Sequence, residues 1–295
     1  MNTRLRSVLI LMTALAAVAA SAEDDKKQTA PVSAVDSWWW DHAWWEQGQI
    51  PVPTNYAVET RWISYRSGDT EIPAMVARPR AKGKFPAVLY MHGRRGLDDL
   101  IQMQVQRLAA RGFVVLAPDL YKAHFIPSMP IEHDYKLEDN VNHGVDALLK
   151  LSDVSTRKAC LASQTRGGYY TLKVAVKFKR QEQDIACYVS WYPHMQDPNA
   201  PEPMQVYGYA PEADELMIPT LIFIGEHEQY QRRRSIEEAV KNMTLMQRPV
   251  QLIVYPGVGR GFDFRPPNVR TFADDLASQD SLRRATEFIH RHLVK

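Results

Sequence analysis

Short apolar runs rich in β-branched and aromatic residues alternate along this chain with helix-length segments, and that alternation leaves few folds open to it. The runs fall at 87–91, 114–117, 159–162, 187–191, 220–224 and 250–255, and helical patterns fall at 100–111, 141–151, 235–243 and 281–293. A strand that is apolar along its whole length is buried on both faces, and parallel neighbours need a crossover long enough to hold a helix. The pattern therefore predicts an α/β fold, a mostly parallel central sheet with helices on both faces. Ahead of it, 57–65 and 71–77 flank Ser67-Gly68-Asp69, which predicts an antiparallel N-terminal hairpin. No repeat or second apolar system interrupts 56–295, so a single domain is expected there. The proline- and acid-rich stretch 193–218 reads as a long loop inserted over the carboxyl edge of the sheet, where open α/β sheets bind ligands.

The N-terminus has a different composition. Arg4 and Arg6 precede an apolar run at 8–20, which reaches Ala20-Ser21-Ala22 and then the charged Glu23-Asp24-Asp25-Lys26-Lys27. A basic start, a short apolar stretch and a small-x-small site describe a secretory signal at 1–22. The run is short for a bilayer span, and no cysteine follows it to carry a lipid. The expectation is an exported protein, periplasmic or secreted, whose mature chain starts near Glu23 and has no membrane span. Residues 23–55 are expected to form an N-terminal arm, which carries Trp38, Trp39, Trp40, Trp44 and Trp45. So many indoles so close together need a surface to cover them. Packing on the domain is the favoured reading, with a protein partner as the alternative.

Charge and cysteine exclude several classes. Lysine and arginine number 36 against 34 acidic residues, a balance without the basic excess of a nucleic-acid-binding chain. The run Arg232-Arg233-Arg234 reads as solvated helix surface. Cys160 and Cys187 each fall inside a predicted core strand, where apolar surroundings suit buried thiols better than a bridge. Neither lies at a strand-to-helix turn, which argues against a thiol nucleophile.

Ser163-Gln164-Thr165-Arg166-Gly167-Gly168 follows the 159–162 run and precedes a helix-like stretch, so it reads as a strand-to-helix elbow. Upstream stand Phe85-Pro86-Ala87-Val88-Leu89-Tyr90-Met91-His92-Gly93 and the segment from Leu108 through Pro118-Asp119-Leu120-Tyr121. Downstream stand Ile218-Pro219-Thr220-Leu221-Ile222-Phe223-Ile224-Gly225 and Tyr255-Pro256-Gly257. With these motifs in this order, the chain resembles the dienelactone hydrolase family of α/β-hydrolases from Tyr56 to Leu293. The resemblance implies an α/β-hydrolase fold and hydrolysis of carboxylic esters or lactones by a nucleophile, an acid and a histidine. The family's elbow reads G-x-C-x-G-G, and the nucleophile position here is Thr165. The acid position, after Gly225, is Glu228. The histidine position, in the turn after the last strand, is Arg260. All three differ from the family's pattern.

Chemistry decides what those differences mean. An elbow nucleophile sits at positive φ, which a β-branched residue tolerates badly. A guanidinium stays protonated at physiological pH and cannot take the nucleophile's proton. Glu228 and Arg260 are expected instead to form a charge-assisted pair. Three histidines fall at the carboxyl ends of predicted strands: His92, His194 and His227. His194 and His227 are candidate substitute bases, and the trio is also a conceivable metal site, although separate loops fix no ligand spacing. His92, Gly93, Arg94, Arg95 and Arg166 are expected beside the pocket as ligand-binding residues, and so many guanidiniums suggest an anionic guest. The reading is a hydrolase-like protein with its classical mechanism impaired, without cofactor or metal, that binds a small anionic or ester-like molecule. An active esterase using Thr165, and an interaction module using the tryptophan-rich arm, are the alternatives.

Overall fold

The computed structural model describes residues 55–266 and 268–294. The signal segment and, apart from Asn55, the tryptophan-rich arm lie outside the described residues. Eight strands form one sheet in the order β1-β2-β4-β3-β5-β6-β7-β8. The strands are β1 Val58–Ser67, β2 Thr70–Pro79, β3 Phe85–Met91, β4 Val114–Pro118, β5 Val154–Gln164, β6 Ile185–Trp191, β7 Thr220–His227 and β8 Val250–Gly259. β1 and β2 form the hairpin, closing at Ser67↔Thr70, and β2 runs antiparallel to β4. All remaining pairs are parallel. Burial follows position in the sheet. β4 is buried throughout and β3 nearly so, whereas β1 at the edge is mostly exposed or half-buried. This is the mostly parallel sheet, led by an antiparallel hairpin, that the alternation predicts, and its strand order is the one the family resemblance implies.

The helices are α1 Asp99–Ala109, α2 Leu120–Ala123, α3 Leu137–Leu149, α4 Gly167–Ala175, α5 Glu202–Tyr207, α6 Glu212–Glu215, α7 Tyr230–Leu245 and α8 Phe272–Leu293. α1 packs with α8, and α3 packs with α4, giving three layers around the sheet. Asp98 caps α1 by accepting from the Ile101 amide at 3.0 Å, which fixes where the helix leaves the loop after β3.

Three expectations change. The last helix starts at Phe272, well before 281, because Thr271 and Asp274 cap each other's backbone amides in a capping box. The stretch 193–218 is not wholly loop, since it holds α5 and α6. Cys160 and Cys187 are not free thiols; they form a disulfide. They are register partners on adjacent strands β5 and β6, with Cα atoms 4.7 Å apart. Sequence distance hides that neighbourhood, because the crossover through α4 separates two strands that lie side by side.

Candidate active site

β5 ends at Gln164 and α4 begins at Gly167, so the chain turns at Thr165 and Arg166. Thr165 adopts φ +50°, a left-handed conformation that costs a β-branched residue on the order of 1–3 kcal/mol. The elbow has not relaxed. Three backbone bonds hold it: Thr165 donates to the Trp191 carbonyl at 3.2 Å, and its own carbonyl accepts from Gly168 at 3.0 Å and His194 at 2.8 Å. Two glycines make the turn possible. A Cβ at Gly167 would strike the Met91 carbonyl, and a Cβ at Gly93 would occupy the position of Thr165 Oγ1. Ser163 is buried, donating to Ser190 Oγ at 2.8 Å, and faces no cleft.

The loop after β7 and the turn after β8 meet beside this elbow. Arg260 Nη1 donates to Glu228 Oε1 at 3.0 Å, so the carboxylate–guanidinium pair expected there is present. The Glu228 side chain has no exposed surface and that of Arg260 is 16% exposed. The same Glu228 oxygen accepts from the Gln229 amide at 2.9 Å, at the start of α7. The guanidinium also lies over the Tyr192 ring, 5.2 Å from its centroid. Arg260 is thus pinned by an ion pair and an aromatic face, and it has no lone pair to offer a hydroxyl proton.

The three histidines do not converge. His227 is exposed and does not line the cleft. His92 is buried beside Tyr121, its Nδ1 2.8 Å from the Gly93 carbonyl oxygen, and it does not line the cleft either. Burial pushes its imidazole below the usual histidine range. Among the described residues no group of three His, Cys, Asp or Glu side chains is placed to hold a metal ion. His194 alone of the trio lines the cleft with Thr165. It is buried, its Nδ1 has no hydrogen-bond partner, and burial drives its basicity well below normal, helped by Arg260, Arg232, Arg166 and Arg94. His194 is therefore a neutral imidazole at neutral pH.

The cleft has a volume of about 690 Å³. Leu100, Ile101, Met129, Phe264 and Pro266 are among its apolar lining, and Gln164, Thr165, His194, Arg232 and Arg260 among its polar lining. Of the arginines expected to bind ligand, Arg94 and Arg95 line it but have other engagements. Arg94 donates to the Pro130 and Met129 carbonyls at 2.7 and 2.8 Å, and Arg95 to Asp98 at 2.7 Å. Arg166 is buried away from the cleft and holds the Pro130, Ile131 and Glu132 carbonyls. These two guanidiniums brace the 129–132 loop that walls the site.

Sequence reasoning missed Arg232 and Gln164. The three successive arginines of α7 point in different directions, since neighbouring helical residues are about 100° apart. Arg233 pairs with Glu237 at 2.7 Å, Arg234 lies over the Tyr207 ring, and Arg232 turns into the cleft. Arg232 is not solvated helix surface: burial and the neighbouring Arg260 lower its pKa to about 10. The available signal was its place in the first turn of the helix that leaves the carboxyl end of β7. Gln164 is oriented from behind, donating to Asp263 Oδ2 at 2.7 Å. Asp263, which also accepts from the Tyr192 hydroxyl, is fully buried, and burial raises its carboxyl pKa.

An eight-stranded sheet of this order, with a left-handed residue at the elbow after β5 and charged positions after β7 and β8, defines an α/β-hydrolase. The chain belongs to the dienelactone hydrolase family, whose sequence profile matches residues 72–293. It is 24% identical over 232 residues to an Escherichia coli (strain K12) protein named for carboxymethylenebutenolidase, across 74% of this chain and 84% of the relative. Among solved structures, a dienelactone hydrolase from Klebsiella pneumoniae superposes with a TM-score of 0.63 at 19% identity, covering 80% of this chain and 99% of that one. Brefeldin A esterase gives a TM-score of 0.63 at 16% identity, covering 83% and 80%. At these identities the superpositions speak for the fold alone.

Proposed function

We propose that this is an exported member of the family in which the cleft binds a small anionic ligand and ester hydrolysis has been lost. The observation that carries the reading is Arg260, a permanent cation locked to Glu228 where the family's motif has its proton acceptor. A hydroxyl nucleophile needs a base matched to operating pH, and a guanidinium is not one. Thr165 adds a second obstacle, because its hydroxyl is branched and packed against Gly93. The positive field left by Arg232 and Arg260 in the same cleft supports an anionic guest.

The test is turnover of a panel of short-chain esters and unsaturated lactones by the purified mature protein, beside Thr165→Ala. The expected outcome is a rate far below an ordinary enzymatic value of about 1 per second, unchanged in the variant. Turnover at that rate, abolished by Thr165→Ala, would overturn the reading.

One observation favours a second reading. His194 is a neutral imidazole in the same cleft as Thr165, with a free Nδ1. In that reading Thr165 attacks the ester, His194 takes its proton, and the Gly93 and Arg166 region supplies amide donors to the developing oxyanion. The amides of Gly93, Arg94 and Arg166 donate to no backbone carbonyl among the described residues. Loss of activity in His194→Gln as well as Thr165→Ala would establish this second reading.

A further inference from the structure

The anion-binding reading rests on charge, and the arrangement of that charge restricts the guest further. Among the described residues Arg232 has no ion-pair partner; it lines the cleft, and its Nη1 is buried without a hydrogen bond. Arg260 spends Nη1 on Glu228, while its Nη2 is likewise buried without a partner. A desolvated guanidinium left unsatisfied costs free energy that a bound oxyanion would recover. Two such groups share one cleft, Arg232 further crowded by Arg94 and Arg166, and are far from neutralised by Glu228 alone. Arg94 and Arg166 are hydrogen-bonded to carbonyl oxygens, so their charges stay uncompensated.

The direction of approach matters as much as the sum of charges. Arg232 comes from the first turn of α7 and Arg260 from the turn after β8, so they reach the cleft from two separate elements. With Nη1 on Glu228 and Tyr192 across its face, Arg260 has its Nε and Nη2 edge left for a guest, and Arg232 meets that guest from another element. A tetrahedral head with three terminal oxygens can take one bond from each of two converging guanidiniums, and its double charge suits the excess. The 16-residue helix α7 adds its positive end, since Gln229 at its N-cap also lines the cleft. The same cleft is lined by Leu100, Ile101 and Phe264, which suit an apolar body rather than a sugar or a second charge.

We infer that the cleft recognises an organic phosphate monoester, its dianionic head between Arg232 and Arg260 and its apolar body against Leu100, Ile101 and Phe264. Arg232 is the residue that sets this specificity. The inference depends on the anion-binding reading above and is narrower than it.

Calorimetric titration of the purified full chain at pH 7.5 with phenyl phosphate, inorganic phosphate and benzoate tests both levels. Phenyl phosphate is expected to bind at least about ten times tighter than either of the others, and Arg232→Gln to remove most of that advantage. Arg232→Lys, which keeps the charge but not the fork, serves if the glutamine variant does not fold, and is expected to weaken phenyl phosphate binding as well. Arg233→Gln, whose guanidinium pairs with Glu237, is expected to change nothing. Benzoate binding as tightly as phenyl phosphate would overturn the phosphate assignment while leaving anion binding intact. Absence of binding by all three would overturn both. Phenyl phosphate binding unaltered in the Arg232 variants would place the head group elsewhere and overturn the inference.

Discussion

Glu228→Gln keeps the shape of the side chain and its acceptor for the Gln229 amide but removes the charge that faces Arg260. Glu228 is wholly buried and the pair is 3.0 Å long, so this is an internal ion pair rather than a surface one. Breaking such a pair from one side leaves an uncompensated charge and costs about 3–5 kcal/mol. A direct Coulomb estimate of about 4 kcal/mol, for charges 4 Å apart at an effective dielectric of 20, falls in the same range. The two single substitutions should not cost the same. Glu228 also offsets Arg232, whereas Arg260 repels it. Removing the carboxylate leaves two guanidiniums facing each other, and removing Arg260 relieves that repulsion. The expected losses are about 4 kcal/mol for Glu228→Gln and about 3 kcal/mol for Arg260→Gln, with the double substitution costing less than either. For a domain of this size, 4 kcal/mol corresponds to roughly 8–16 °C in Tm. Urea unfolding followed by circular dichroism, with unchanged m values across the four proteins, supplies the cycle. Additive losses would refute the pairing, and a larger loss for Arg260→Gln than for Glu228→Gln would refute the argument from Arg232.

Thr165→Gly should stabilise the protein by about 1 kcal/mol by relieving the left-handed backbone, as judged by urea midpoint. Gly93→Ala should cost about 1–3 kcal/mol in the native background and much less beside Thr165→Gly, because the atom it meets is Thr165 Oγ1. Replacing both Cys160 and Cys187 by alanine should cost about 3–4 kcal/mol, the chain-entropy value for their separation of 27 residues, and thiol titration of the denatured, unreduced protein should find no free cysteine. His92 and His194 have native pKa values depressed by burial, so the unfolded chain binds protons that the native one does not. Their contribution is present above the unfolded pKa, about 6.5, and is lost as pH falls below it, with a slope approaching about 1.4 kcal/mol per pH unit for each. Unfolding series at pH 7.5 and 5.5 should show this loss, and His194→Gln should reduce it; a flat profile would show that the imidazoles are solvated. Mass spectrometry of the exported protein should find an N-terminus near Glu23, and an intact Met1 form held in a membrane would contradict the signal reading.

The parts of the fold written in local pattern were legible from the sequence. β3 and β4 read as continuous apolar runs because they are buried on both faces, and the hairpin declared itself at Ser67-Gly68-Asp69. The Glu228–Arg260 pair was legible because two motifs in family order put both residues at the same end of the sheet. What stayed hidden depends on direction in space. Arg232 was indistinguishable in sequence from Arg233 and Arg234, and only the orientation of α7 separates a cleft residue from two surface ones. His227 and His194 both fall at the carboxyl ends of strands, yet one is exposed and the other is buried within the influence of four guanidiniums. The disulfide was hidden for a similar reason: which strands are neighbours is a property of the sheet order, not of the intervals between apolar runs.

Retention of the strained elbow is not by itself a sign that the elbow still works. Strain at a reactive residue often marks function, because something must hold the residue there against its preference. Here the holding is done by groups that have no part in chemistry. The Thr165 carbonyl is bonded by Gly168 and His194, its amide reaches Trp191, and Gly167 lies against the Met91 carbonyl with no room for a side chain. Those contacts belong to the junction of β3, β5, β6 and α4, which would unravel if the turn relaxed. The backbone geometry of a nucleophile elbow therefore follows from the architecture whether position 165 carries a reactive group or not. Evidence for chemistry has to come from the groups around the hydroxyl. The cleft that Thr165 lines also holds a glycine, a neutral imidazole and two cations, a set better suited to holding an oxyanion than to taking a proton.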